Sequence, residues 1–264
     1  MGKKIAIIGG GNLGTAIAEG LLKSEFSVPA DIIVTRRNTA SLEMLKQKGV
    51  EITNDNKAAV RKSQVIILAV KPFQVAEVLG GIAGELADGK ILISVVTGSL
   101  ISEMEDIVKK DIPYFRAMPN TAIAIQESMT CVCSNHADVE SIAYVNELFS
   151  NLGKVVTIDE KLMEAATILA ACGTAYAMRY IRANIQGGIE IGFDAATASL
   201  IAAQTVKGAA DLLLQKGAHP EQEIDKVTTP KGCTIAGLNE MEHRGFSSSL
   251  IRGVVASYKK IAKD

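Results

Sequence analysis

Over its first 158 residues the chain alternates short apolar runs with stretches of helical spacing, and no other feature narrows its fold as much. The runs "KIAIIG", "DIIVTR", "VIILAV", "KILISVV", "IPYFRAM", "MTCVCS" and "KVVTID" read as strands. Between them, "NLGTAIAEGLLKS", "TASLEMLKQKG" and "PFQVAEVLGGIAGEL" carry helical spacing. The last has Pro72 at a helix start, where its missing N–H costs little. Such alternation buries its strands best in a parallel sheet covered by helices on both faces. The expectation is therefore an α/β protein with a doubly wound, Rossmann-type sheet over residues 1–158. Beyond residue 158 the strand signals stop. Ala-rich segments at 161–192, 195–217 and 248–264 point to an all-helical domain over residues 159–264. The stretch from Ala195 to Leu214 is apolar or small almost all round, a pattern that in water demands burial on every side. One small domain supplies too little cover, so this is expected to be a dimerisation domain that interlocks with a second copy, in a homodimer or higher homo-oligomer.

Composition restricts the partners. A net charge of −1 without a long Lys/Arg run argues against nucleic acid and anionic membranes and for a small-molecule substrate. The longest mainly apolar run, Ala165 to Met178, is shorter than the roughly 20 residues of a membrane span. The opening "MGKKIAIIGGG" imitates a signal peptide, but its glycines fit a buried first strand better, and Ala6 stands where a myristoylation site needs Ser or Thr. A cytoplasmic location is expected. Of the four cysteines, Cys131 and Cys133 are two apart, so on a strand both point to one face. His136 would extend them toward a metal set, but no second Cys/His pair has a zinc spacing, and they read better as small core residues with no metal bound.

Gly9-x-Gly11-x-x-Gly14, with Asn12 and Leu13 inside it, follows a strand and opens a helix, the context that makes this spacing a dinucleotide-binding signature. Its glycines permit the tight turn, the approach of backbone to a pyrophosphate, and close packing of helix on strand. At the end of the second run, where an NAD site usually places an acid for the ribose 2′-hydroxyl, stand Thr35, Arg36 and Arg37. Two guanidinium groups suit a 2′-phosphate and favour NADPH, with NADH as a weaker alternative. A solvated basic loop is the other reading of these arginines. A second helix mouth lies late in the chain, at "VTTPKGCTIAGLNEME" over residues 227–242. Helix N-termini attract anions, so this mouth calls for a second one.

Taken together, "GGGNLGTAI", "ILAVKP", "FRAMPNTA", "GTAYAMRYI" and "VTTPKGCTIAGLNEMEHRGF" resemble the pyrroline-5-carboxylate reductases, in the expected order over nearly the whole chain. The resemblance implies a Rossmann domain, a helical dimerisation domain and NADPH-dependent reduction of the cyclic imine Δ1-pyrroline-5-carboxylate to L-proline. It also implies that the substrate's carboxylate is the second anion, held by the turn containing Thr229, Gly232, Cys233 and Thr234, with the Thr234 hydroxyl on the ring nitrogen as the catalytic contact. By the same matching, Ala69, Val70, Lys71 and Pro72 line the cofactor, Asn56 reaches its adenosine half, and Met118, Pro119 and Asn120 lie near the nicotinamide. Simpler readings stand beside these. Thr229-Pro230 could be an N-cap and first-turn proline, Asn56 the cap of "NKAAVRKS", and Lys71 an exposed strand-end lysine. The chain departs from the family pattern at Lys231, which replaces the first of two glycines, at Ala171-Cys172-Gly173-Thr174, and at Arg179 and Arg182. Two rivals remain, another NADP-dependent imine or 3-hydroxyacid oxidoreductase and a non-catalytic NADP(H) sensor. The Gly-x-x-x-Lys helix of the 3-hydroxyacid dehydrogenases is absent here, and the sensor would not need the second mouth.

Overall fold

The structure is a computed structural model and describes residues 2–262. In chain order it runs β1 (Ile5–Ile8), α1 (Asn12–Lys23), β2 (Ile32–Thr35), α2 (Glu43–Gln47), β3 (Glu51–Thr53), α3 (Asn56–Lys62), β4 (Val65–Leu68) and α4 (Val75–Ile82). Then follow β5 (Ile91–Ser94), α5 (Ile101–Val108), β6 (Tyr114–Met118), β7 (Ser128–Asn135), α6 (Val139–Ser150) and β8 (Gly153–Thr157). The helical part comprises α7 (Met163–Ala166), a π-helical turn (Thr167–Cys172), α8 (Gly173–Glu190), α9 (Ala195–Lys216), α10 (Pro220–Lys226), α11 (Cys233–His243) and α12 (Phe246–Ala262).

The strands form one sheet in the order β3-β2-β1-β4-β5-β6-β7-β8. The central strands "IAII", "VIIL" and "ILIS" are buried throughout, as expected of strands covered on both faces. Their residues alternate between two cores. Ile5, Ile7, Val65 and Ile67 pack with α1 and α6, while Ala6, Ile8, Ile66 and Leu68 pack with α3, α4 and α5. The sheet is not wholly parallel. β7 runs antiparallel to β6, with Met118 opposite Cys131, because the connection over residues 119–127 is too short for a helical crossover. The edge strand β3, three half-buried residues long, is not apparent in the hydrophobic pattern.

Two compact units divide after Cys172. Met163, Ala166, Ala170 and Ala171 pack on the core of the first unit. Arg116, buried in β6, reaches out of the sheet to Glu160 at 3.0 Å and Glu164 at 3.2 Å. Glu160 Oε1 also accepts from the N–H of Ile101, the first residue of α5, at 2.8 Å. Cys131 and Cys133 face this core, where burial pushes both thiols up, Cys133 to about 11.

The second unit has almost no core within one chain. Among the described residues of 173–264 only Ala198 and Ala202 are buried hydrophobics. On α9, Leu200 is 72% and Leu214 72% exposed, and Ile251 on α12 is 63% exposed. The helix with apolar residues on every side therefore turns them outward in a single chain. No helix among the described residues is long and apolar enough to cross a membrane.

The Arg116 ties generate a first prediction. Arg116→Ala removes the cation facing two partly exposed carboxylates and should cost about 2–4 kcal/mol, somewhat less than breaking a fully buried pair. At roughly 2–4 °C per kcal/mol for a chain of this size, the melting midpoint should fall by about 5–15 °C in a thermal scan. A shift within 1–2 °C, on the order of the scan's scatter, would mean that the ties contribute little.

Candidate active site

The strand order reverses between β1 and β4, so the loops leaving their C-terminal ends lie side by side at the place where open α/β sheets bind ligands. After Ile8 the chain turns through Gly9–Gly11 into α1. Gly9 and Gly10 N–H donate to Thr35 O of β2 at 3.2 and 2.7 Å, and Ala69 N–H donates to Ile8 O at 2.8 Å. Gly9 has φ +115°, and a Cβ there would lie 2.4 Å from Ala69 O. A Cβ on Gly14 would come 2.1 Å from Gly9 O, so α1 sits directly on the loop. At Gly11 a Cβ would meet nothing within 4 Å. The three glycines thus have different duties: two close the protein against itself, and the third keeps open the space over the mouth of α1. Gly11 is the N-cap and offers no side chain to the first-turn N–H groups. Asn12 is exposed there, while Leu13 turns onto the core. Open space over uncapped N–H groups fits a pyrophosphate.

The two arginines after β2 separate in role. Arg36 Nη1 donates to Gly10 O at 2.6 Å, and its backbone N–H donates to Thr53 O of β3 at 3.1 Å. Arg36 therefore braces the glycine loop, a contact not evident from the sequence. Arg37 is exposed and forms no ion pair among the described residues. On the β4 side, Ala69 and Val70 are half-buried, while Lys71 and Pro72 are exposed, with Pro72 opening a 3-10 turn before α4. Asn56 is the first residue of α3, and the cap is its neighbour Asp55, whose Oδ1 accepts from Ala58 N–H at 3.0 Å. The capping alternative for Asn56 therefore falls. Met118 is buried at the end of β6. Asn120 is committed at both ends of its amide: Oδ1 accepts from Ala122 N–H at 3.0 Å, and Nδ2 donates to Ala170 O in the π-helical turn at 3.2 Å.

The late mouth is built from the turn Thr229-Pro230-Lys231-Gly232, closed by Gly232 N–H donating to Thr229 O at 2.9 Å. Pro230 at the second position and Lys231 at φ +60° in the third follow the pattern of a type II turn. A Cβ on Gly232 would lie 2.5 Å from Thr229 Oγ1 and 3.0 Å from its carbonyl oxygen. Gly232, and not Thr229, is the N-cap of α11, and it leaves the first turn without a side-chain cap. Pro230 correspondingly lies in the turn and not in the helix. Cys233 is exposed and Thr234 half-buried, its hydroxyl without a partner among the described residues. Asp55, Asp138, Asp194 and His219 cap α3, α6, α9 and α10 through their side chains. By contrast, α1 and α11 begin at glycines and keep their N–H groups for something else.

Known proteins match this arrangement along the whole chain. Residues 160–264 fit the family model described as pyrroline-5-carboxylate reductase dimerisation, and residues 4–98 fit that described as NADP oxidoreductase, coenzyme F420-dependent. The chain is 44% identical to pyrroline-5-carboxylate reductase 2 of Dictyostelium discoideum, covering 99% of itself and 93% of that protein. It is 45% identical to reductase 1 of the same organism over 98% of its length, but spans only 49%, about half, of that longer relative. A solved structure of Plasmodium falciparum pyrroline carboxylate reductase with NADP bound superposes with a TM-score of 0.89 at 27% identity, covering 98% of this chain and 97% of that one.

The glycine geometry generates a paired prediction. Gly11→Ala adds a methyl group that meets no protein atom, so the variant should fold with an unchanged melting midpoint yet bind NADPH at least roughly tenfold more weakly, a loss of about 1.4 kcal/mol. Gly14→Ala drives a Cβ into the Gly9 carbonyl and should destabilise the fold by about 1–3 kcal/mol. Fluorescence titration with NADPH and thermal melts of both variants check this. Equal behaviour of the two would refute the division of labour.

Proposed function

The chain belongs to the pyrroline-5-carboxylate reductase family, and from that membership we propose how its two helix mouths share the NADPH-dependent reduction of Δ1-pyrroline-5-carboxylate to L-proline. The observation that carries the reading is the pair of glycine-capped helices, one at the switch point of the sheet and one behind the Thr229–Gly232 turn. The first mouth, with Gly9, Gly11, Asn12, Leu13 and Gly14, receives the pyrophosphate of NADPH. Arg37 takes the 2′-phosphate, and Arg36 holds the loop. Asn56 and the loop from Ala69 to Pro72 line the remaining wall. Asn120, tied at both ends, shapes the region after β6 instead of donating to the cofactor.

The second mouth receives the substrate carboxylate on the N–H groups that open α11, where they bind an anion without titrating. Thr234, one turn-position further in, sets its hydroxyl against the ring nitrogen and fixes the orientation of the imine. When bound, NADPH supplies the hydride. The protonated imine is already electrophilic, so the chain has to position it and exclude misorientation, and no strong protein acid is needed. The exposed leucines and isoleucines of α9 and α12 are covered by a second copy of the chain, which makes the helical unit a homo-oligomer interface. The free cysteines suit the reducing cytoplasm.

Loss of the reduced-nicotinamide absorbance when purified protein meets NADPH and the imine, with proline formed in equal amount, tests the assignment, and absence of turnover would overturn it. At residue level, Thr234→Val keeps the shape and removes the hydroxyl. A hydrogen bond to a charged group of about 1.5–3 kcal/mol predicts a fall in kcat/KM for the imine of roughly ten- to a hundredfold, with NADPH affinity unchanged. An active-site role for Thr234 does not survive an unchanged kcat/KM in the folded variant.

The arginines are separable by the same kinetics. Arg37→Ala should raise the KM for NADPH by roughly tenfold or more and leave NADH use almost unchanged, through loss of one charge-assisted bond. Arg36→Ala releases the Gly10 carbonyl and should weaken both cofactors together. If Arg37→Ala impairs NADH equally, the 2′-phosphate lies elsewhere.

A further inference from the structure

Among the described residues, five other than glycine have positive φ: Glu25, Lys109, Gln126, His136 and Lys231. Lys109 and Gln126 are left-handed C-caps, Glu25 follows Ser24, the C-cap of α1, and His136 directly follows β7, places where such a conformation commonly stops an element. Lys231 is the exception, because it leads into a helix. It stands immediately before the N-cap Gly232, at a turn position where glycine carries no steric cost and a lysine does. Its ammonium group is exposed and makes no ion pair or hydrogen bond with a described residue. A strained backbone occupied by a free cation, beside uncapped N–H groups, marks a functional residue better than a structural one.

We infer that Lys231 is a specificity-determining residue of the second mouth, placing a positive charge beside the substrate carboxylate so that the reductase recognises that carboxylate. The inference rests on the reading of that mouth as the carboxylate site. Lys231 lies two residues before Cys233, so its Cα is at most about 7.6 Å from the helix's first Cα, within range for a side chain of this length. The site is open to water, and an attraction across several ångströms of partly solvated space amounts to a three- to tenfold effect on affinity. It acts on binding of ground state and transition state alike, so it belongs in KM and not in kcat.

The test is steady-state kinetics of the full chain at saturating NADPH, with the imine varied at low and at high ionic strength. Lys231→Gln and Lys231→Gly should both raise KM for the imine three- to tenfold while kcat stays within twofold. Lys231→Arg, which retains the charge, should stay within twofold of wild type in both constants. Added salt should raise the wild-type KM toward that of Lys231→Gln and leave the KM of Lys231→Gln flat, since only the charged form is screened. Lys231→Gly separates charge from backbone, because it keeps the left-handed turn and removes only the cation. If Lys231→Gly and Lys231→Gln retain the wild-type KM and salt response, Lys231 is only a turn residue and the inference fails, while the carboxylate site stands on its N–H groups. If Thr234→Val also leaves kcat/KM unchanged, the reading of the mouth fails with it.

Discussion

The structure depends on an approach of backbone to backbone too close for any side chain. At the switch point of the sheet, Gly14 packs on the carbonyl of Gly9, and Gly9 packs on the carbonyl of Ala69. These contacts join α1, the loop after β1 and the loop after β4 into one rigid seat, and Arg36 ties the Gly10 carbonyl to the end of β2. Among Gly9, Gly10, Gly11 and Gly14, only Gly11 would carry a Cβ into open space, at the mouth of α1. The place proposed for the dinucleotide is thus the one glycine of the loop where a Cβ would meet nothing. Sheet order matters for the same reason, since only the reversal between β1 and β4 brings these two loops together.

What was legible in the sequence is what acts locally. The buried runs of β1, β4 and β5, the glycine spacing and the late turn each declare themselves within a few residues. The features that escaped it are those whose partner is far along the chain. Arg36 pairs with a carbonyl 26 residues away, and Arg116, an arginine amid "YFRAM", finds Glu160 and Glu164 across 44 and 48 residues. Nothing in the hydrophobic pattern of "MTCVCS" marks it as antiparallel to its neighbour, because strand direction depends on the length of the connection and not on side-chain alternation. The capping alternative for Asn56 lies one residue from the cap of α3, Asp55, for a similar reason. Both residues are good N-caps, and backbone geometry alone chooses between them.

The helical unit illustrates the opposite case, in which the sequence pattern makes sense only beyond the single chain. A helix apolar on every side should be buried on every side, yet α9 buries two alanines and exposes Leu200, Leu212 and Leu214. Local propensity and capping are sound, with Asp194 at one end and Gly217 in the left-handed conformation at the other. The missing term is the packing partner. A set of helices with so little core of its own has little to offset its chain entropy within one chain, and residues 160–264 match the family's dimerisation model.

In the proposed reading both anions that the reaction must hold are met by helix N-termini, and this has a chemical consequence. Backbone N–H groups neither titrate nor change rotamer, so the geometry at each mouth is independent of pH and prepaid during folding. On the proposed reading, side chains refine what the backbone begins: Arg37 would select among dinucleotides, and Thr234 would orient the imine. Such a division suits hydride transfer to a protonated imine, where charge complementarity and alignment supply what an acid or a metal supplies elsewhere. Besides α1, the two longest helices of known cap are α6 and α9, and both spend an aspartate on their first turns, while α1 and α11 begin at glycine. A carboxylate cap at either mouth would occupy the N–H groups and place a negative charge where the ligand's own must go.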